Sequence, residues 1–364
     1  MSSVHNQSRE PQVSVIMSVH NGGRYLKAAV ESVLQQTFRD FEFLIVDDGS
    51  TDGSSEYLES LSGLDSRVRM LSQENSGLVF SLNRLIRESR GSLLARMDAD
   101  DVCLPDRLQA QVDRFRKEPG LGVLGGHIEI IGPESEALGK WLYPTTPGKV
   151  EETLKFGCPV AHPAVMMRKN LVDKVGGYRE FFTHCEDYDL WLRLSELAAI
   201  SNLDQTVLRY RTHSSSVSSL HGNLQLTGAY LAQAAWLMRR AGEADPVERW
   251  REISEETLTA TDLPPEEKCL LLARWKFSVI CRLDHGNTKL LDQHLKEFPA
   301  IPPAVAQEGR LIRIRLYKEL AVSFRRRRDY IRTFRYTLAL ALNQLIYHCQ
   351  EFLVEVKQRR TILR

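Results

Sequence analysis

The stretch Ser92-Leu93-Leu94-Ala95-Arg96-Met97-Asp98-Ala99-Asp100-Asp101 decides how this chain is read. Its first half is a strand-like apolar run, and three carboxylates follow it within four residues. In an extended strand, positions i and i+2 point the same way. Asp98 and Asp100 are therefore expected on one face at a strand's carboxyl end, which is the end at which open α/β sheets bind ligands. Carboxylates this close repel one another and favour a cation between them. An all-oxygen set suits Mg²⁺ or Mn²⁺, usually shared with a substrate's phosphates. Taken alone, the segment also fits an acidic turn that caps a helix near Pro105.

Working outward, strands alternate with helices from Val13 onward. Val13 to Val19 is a β-rich run, and Arg24 to Gln36 carries a helical period at Tyr25, Ala28, Ala29, Val33 and Leu34. Phe41 to Val46 is a short apolar strand closed by Asp47-Asp48-Gly49-Ser50-Thr51-Asp52-Gly53. Ser54 to Leu61 reads as a helix, Val68 to Leu71 as a strand, and Leu78, Leu82, Leu85 and Ile86 mark another helix face. The strand over 92–97 and a helix from Pro105 complete a set of βαβ units, which implies a largely parallel sheet. Further on, Gly120 to Ile131, His162 to Met167 and Thr206 to Arg211 are expected strands. Lys149 to Phe156 and Glu186 to Leu197 are expected helices. The serine-rich run from Ser214 reads as a linker. Helices are expected beyond it at Leu224 to Ala241, Glu248 to Glu256, Pro265 to Leu283 and from Gly309 to about Arg360. The expected domains are thus a flexible 1–12, a sheet domain over 13–213, a linker over 214–222 and a mainly α-helical region over 223–364.

Composition suits a two-domain globular chain: 364 residues, 43% hydrophobic, net charge +1. The charge is uneven. From Gly309 to Arg364 there are 14 Lys/Arg against 4 Asp/Glu, a positive end that suits an anionic membrane surface or an acidic partner. Within it Phe324, Ile331, Phe334, Leu338, Ala341 and Leu345 recur at helical spacing. That stripe fits an interfacial helix on anionic lipid, or a helix packed on its neighbours with a solvated basic edge. No nucleic-acid partner is expected. The six cysteines are scattered without a C-x-x-C pair, which argues against zinc and for a reducing compartment. No signal-peptide pattern and no transmembrane-length apolar run occurs. A cytoplasmic protein, peripheral at the inner membrane face, is the expectation.

Other segments carry chemistry. His20-Asn21-Gly22-Gly23-Arg24 ends the first strand, where Arg24 could meet a phosphate or the segment could be a plain βα turn. No G-x-G-x-x-G fingerprint or P-loop is present, which sets NAD enzymes and P-loop NTPases aside. Asp47 and Asp48 could accept from a nucleobase or ribose, while Ser50, Thr51 and Asp52 could cap the next helix. In His184-Cys185-Glu186-Asp187-Tyr188-Asp189 the acids open a helix. They could serve as a general base or simply stabilise the helix dipole. His162, before Pro163, could be a ligand or a structural hydrogen-bonding group.

Together, Val13–His20 with Asn21, Glu31-Ser32-Val33-Leu34-Gln35-Gln36-Thr37-Phe38, Asp47 to Asp52, Asn75-Ser76-Gly77, Asp98 to Asp101 and Glu186-Asp187 resemble the family 2 glycosyltransferases of the GT-A fold. The resemblance covers residues 13 to about 211. It implies a Rossmann-like, mostly parallel sheet flanked by helices and a metal-dependent inverting transfer from a nucleotide-diphosphate sugar. A UDP-sugar is the first choice of donor, and the acceptor is a glycan or a lipid-linked molecule in surface-glycan or polysaccharide synthesis. Carried over residue by residue, Asp187 would be the general base with Glu186 supporting it. Asp48 would contact the nucleotide base with Asp47 near it, and Ser18 and His20 would border base and ribose. Arg96 would help hold the nucleotide, and Asp98 would touch the ribose or donor sugar. Asp100 would ligate Mn²⁺ or Mg²⁺, and His162 would lie near the diphosphate or metal. The chain departs from the family at His20, where an aromatic is usual. It also lacks the Gln-x-x-Arg-Trp motif of processive synthases, with Trp191-Leu192-Arg193-Leu194 in that region. The alternatives are a nucleotidyltransferase, or a non-catalytic nucleotide- or glycan-binding module on the same fold.

Overall fold

Val13–Val19 (β1) is a nearly continuous apolar strand, the pattern of a strand covered on both faces. In the computed structural model, which describes residues 10–61, 63–213 and 222–282 together with 312, 314, 316 and 318, β1 lies in the interior of a nine-stranded mixed sheet. Phe41–Asp48 (β2) and Leu93–Met97 (β4) flank it in parallel, with Val13 opposite both Phe41 and Leu93. Val68–Gln73 (β3) extends the parallel set beyond β2. Strand order therefore turns at β1, and the loops that follow β1, β2 and β4 leave from one edge of the sheet. That turning point is where an α/β sheet opens a ligand crevice.

The sheet continues from β4 through Met166–Arg168 (β8), Leu121–Ile131 (β6), Ala199–Arg211 (β9) and the two-residue Val102–Cys103 (β5). β8 runs antiparallel to both its neighbours, β6 and β9 pair in parallel, and Ala137–Trp141 (β7) folds back on the far half of β6. Helices cover the faces. Leu26–Leu34 (α1) buries Leu26, Ala29, Val30 and Val33. Ser54–Ser60 (α2) is short, and Leu78–Glu88 (α3) buries Val79, Leu82, Leu85 and Ile86. Arg107–Lys117 (α4) buries polar side chains: Arg107 Nη2 donates to the carbonyls of Arg96 (2.7 Å) and Val165 (3.1 Å), and Gln111 Nε2 to those of Leu124 and Ala164. These bonds satisfy backbone groups where β4 and β8 leave the ladder. Pro147–Leu154 (α5), Lys169–Lys174 (α6) and Glu186–Ser195 (α7) complete this unit.

The chain divides into two compact units, Met1–Gln225 and Leu226–Arg364. In the second, the part of Gly222–Arg240 (α8) from Leu226 onward runs beside Pro265–Arg282 (α10), joined by Trp275 Nε1 donating to Thr227 and by the Tyr230–Ser278 hydroxyl pair at 3.1 Å. No helix among the described residues is long and apolar enough to cross a membrane.

Three of the expected elements take a different form. The strand expected over His162 to Met167 is a 3₁₀ turn, His162–Ala164, followed by the short β8, because Pro163 has no N–H for a ladder. The helix expected over Glu248 to Glu256 is a 3₁₀ turn at Pro246–Arg249, capped by Asp245, and a separate helix Glu255–Thr259 (α9), whose cap Ser254 accepts from Thr257 N. The final strand starts at Ala199 rather than Thr206. Residues 1–9 and 214–221, and the basic helix expected from Gly309 apart from four positions, lie outside the described residues.

Candidate active site

The loops after β1 and β2 lock onto each other. Asn21 sits at φ 54°, accepts from Thr51 N at 2.8 Å and donates its own N–H to Ser50 Oγ at 3.0 Å. Gly22 N donates to Ser54 Oγ, and Gly23 N to Asp52 Oδ2 at 2.9 Å. Ser50 and Thr51 therefore bind the neighbouring loop rather than capping α2, whose N-cap is Gly53. Of the three side chains, that of Asp52 also serves that helix, accepting from Ser54 N.

Asp47 and Asp48 are both buried. Asp47 accepts from Ser50 N at 3.1 Å and from the Ser55 hydroxyl. Asp48 accepts from Gln73 Nε2, Ser76 N (2.8 Å) and Gly77 N (2.9 Å). Both thus hold loops. Gly49 between them and Ser50 has φ +73°, and a Cβ there would lie 2.8 Å from Asn75 N, so the close approach of the 75–77 loop requires glycine. His20 is exposed, with Nδ1 2.9 Å from the Asp48 carbonyl and the Asn75 amide 3.0 Å away. Ser18 is half-buried beside Val46. Arg24, for which the sequence left a phosphate contact or a plain βα turn open, is exposed and paired with Glu134 at 2.9 Å.

β4 ends at Met97, so Asp98 and Asp100 stand in a turn and not in the extended strand assumed from the sequence. Arg96, almost wholly buried, donates to Asp98. Asp100 Oδ2 lies 3.0 Å from His213 Nε2. Asp101 is buried, its Oδ1 accepting from Arg211 N at 2.8 Å. Arg211 also donates to the Asp100 carbonyl at 2.8 Å, and its guanidinium lies 4.4 Å over the Tyr25 ring, on which His213 stacks at 5.5 Å.

Asp98, Asp100 and Asp101 each bring a ligating atom within 4.8 Å of the others. Burial raises Asp98 above the ordinary carboxyl range; Arg96 works against this, and Asp100 adds to it. Burial, then Asp100 and Asp98, raises Asp101 further. The buried Asp101 Oδ2 has no hydrogen-bond partner. Such a crowded set of oxygens, with an orphaned one among them, fits a hard divalent cation. His213, which sequence reading did not single out, is the added nitrogen donor at this edge. Its signal was its place two residues past the expected last strand.

A cavity of about 900 Å³ opens from this turn, lined by Arg96, Asp98, Asp100, His162, Glu186 and Asp187, among others. Ser18, His20, Arg24, Asp47 and Asp48 do not line it. Glu186 and Asp187 enter from the first turn of α7. Asp187 Oδ1 accepts from Tyr188 N at 2.7 Å and Oδ2 lies 3.6 Å from Cys158 Sγ. Burial raises Asp187 above its ordinary value. Burial first, and Asp187 second, push Glu186 up to about 7. His162 Nε2 lies 2.8 Å from the Tyr178 hydroxyl, and burial with the nearby Arg96 charge holds the imidazole well below its ordinary value, hence neutral. The third acid of the motif, Asp189, faces inward and pairs with Arg193 at 2.7 Å, which in turn donates to the carbonyls of Val175 and Gly177. It is framework.

The sheet and its acidic edge have the GT-A architecture. Residues 14–175 match the glycosyl transferase family 2 model. The chain is 36% identical over 208 residues to the O-antigen biosynthesis glycosyltransferase WbnJ of Escherichia coli, covering 56% of this chain and 81% of that one. It is 29% identical over 210 residues to an Escherichia coli chondroitin synthase, covering 58% of this chain and 30% of that protein. The structure of S. aureus TarS 1–349 in complex with UDP-GlcNAc shares the fold, at a TM-score of 0.57 and 16% identity over 88% of this chain and 89% of that one. The chain belongs to glycosyltransferase family 2.

Proposed function

We propose that this glycosyltransferase moves a sugar from a UDP-sugar to an acceptor hydroxyl, with inversion at the anomeric carbon, in surface-glycan or polysaccharide synthesis. The observation that carries the reading is one cavity shared by two acid pairs of different character: Asp98 with Asp100, and Glu186 with Asp187. Relatives support the substrate class, since one is named for O-antigen biosynthesis and a fold neighbour was solved with UDP-GlcNAc.

The chemistry follows from the residues. Asp187 takes the proton of the acceptor hydroxyl as its oxygen attacks the anomeric carbon, and the bond from that carbon to the diphosphate breaks on the opposite side. Burial keeps the basicity of Asp187 and Glu186 above that of an exposed carboxylate, which brings the proton acceptor closer to working pH. Glu186 supports Asp187 by sharing its negative field. Arg96 holds Asp98 toward the donor sugar and ribose. His20 and Ser18 border the base and ribose, and Asp48, with Asp47 behind it, fixes the 75–77 loop against the base. Asp100, Asp98 and Asp101, with His213, would hold Mn²⁺ or Mg²⁺, which would supply positive charge against the negative charge developing on the departing diphosphate. The neutral His162 offers a hydrogen bond rather than a charge. The basic C-terminal region would bring the enzyme to an anionic membrane face, where lipid-linked acceptors are presented.

The stereochemistry tests this directly. Proton NMR of product formed from an α-linked UDP-sugar should show a β-linkage. An α-linked product would overturn single displacement.

A further inference from the structure

The acids are only part of the cavity lining. Its lining also carries aromatic rings: Trp141 and Tyr143 stack at 5.9 Å between ring centroids and 9° between planes, and Phe80 and Tyr210 also line the space. Trp141 is 58% exposed, although it ends a strand and stands opposite Ile128 of β6 in the ladder. An indole left open to water inside a concave site, rather than packed into the core, is a surface waiting for a ligand. Tyr143 is fixed behind it, because its backbone N–H donates to His127 Nδ1 at 3.2 Å. Of the residues expected at the nucleotide, Arg96 and Asp98 share this lining, whereas Ser18, His20, Asp47 and Asp48 do not. The aromatic rings therefore share one cavity with Asp187, the proposed general base, and not with Ser18, His20, Asp47 and Asp48.

Resting on the function proposed above, we propose that Trp141, backed by Tyr143, is the platform for a saccharide acceptor, whose pyranose ring lies flat on the indole. A pyranose has an apolar C–H face and a rim of hydroxyls. The flat Trp141–Tyr143 stack matches the face, and Thr183, Glu180, Glu186 and Asp187 in the same lining match the rim. A lipid chain would meet those carboxylates at a desolvation cost. The acceptor end that reacts is thus a sugar, whatever carries it.

The test has two arms on the full-length protein. In the first, the Trp141 indole N–H signal is identified in a heteronuclear NMR spectrum by its loss in Trp141→Phe. It is then followed during titration with methyl glycosides of glucose, galactose, N-acetylglucosamine and N-acetylgalactosamine in the presence of UDP. The proposal expects that signal to move with at least one glycoside. In the second arm, UDP release from UDP-sugars is measured with the same glycosides as acceptors. Trp141→Ala should raise the acceptor KM about tenfold, and Trp141→Phe should recover most of it. UDP binding by calorimetry reports that the donor site is intact in both variants. An indole signal unmoved by every glycoside, or an acceptor KM unchanged in Trp141→Ala, overturns the platform. Absence of UDP release from every UDP-sugar, with or without acceptor, counts instead against the proposed donor chemistry, and the NMR arm still decides the saccharide site.

Discussion

His213 Nε2 lies 3.0 Å from Asp100 Oδ2, although 113 positions separate them in the chain. Tyr25, from the first βα loop, stacks on the same imidazole, so three distant segments fix one carboxylate. If His213 shares a cation with Asp100, His213→Ala should weaken Mn²⁺ binding by about 10–100-fold. Calorimetric titration of Mn²⁺ in the presence of UDP measures this, and equal affinities would leave His213 as an anchor for the turn alone.

Asp187→Asn retains shape and the acceptor for Tyr188 N but cannot take a proton. Turnover should fall by about 10²–10⁴, with UDP affinity largely kept. Steady-state rates beside UDP calorimetry separate the two effects. Turnover at the wild-type rate would remove Asp187 from the base role.

The pH profile follows from the same pair. A base works only when deprotonated, and burial with Asp187 pushes Glu186 up to about 7. Burial raises the base, Asp187, as well, so log kcat/KM should rise with pH through a limb above the ordinary carboxyl range and then level off. In Glu186→Gln, Asp187 loses a negative neighbour, ionises more readily, and the rising limb should move to lower pH. An unmoved limb would show that the two carboxyls do not share the titration.

Asp47 makes a different prediction. Its oxygens serve Ser50 N and the Ser55 hydroxyl, so Asp47→Ala should cost stability, about 1–3 kcal/mol for buried donors left unpaired. Urea unfolding reads the shift in midpoint. No shift would mean that this carboxylate does not hold the loop.

Much of this was legible in the sequence, for physical reasons that differ by region. β1, β2 and α3 carry strong periods because they are buried on a fixed face, and the acids at 98–101 and 186–187 are conspicuous because like charges rarely crowd without a purpose. What was not legible depends on contacts across the chain. Nothing near His213 points to Asp100. Ser50 and Thr51 look like helix-cap residues, and only the neighbouring loop with Asn21 shows otherwise. Arg107, on a charge-rich helix, looks like a surface residue until the carbonyls of Arg96 and Val165 meet it. β7 was missed because all five of its residues are exposed, so no alternation marks it, and Trp141 went unnoticed with it.

The most direct test of the account is a thermal-shift series with UDP, GDP, dTDP and CDP, each with and without Mn²⁺, on wild type and Asp100→Ala. Ligand that binds only the native state raises its stability, by about 2.7 kcal/mol at a hundredfold excess over Kd. The account predicts stabilisation by UDP that requires Mn²⁺ and is lost in Asp100→Ala. Equal stabilisation of both proteins, or a UDP effect indifferent to Mn²⁺, would contradict a cation held at Asp100 beside the donor diphosphate.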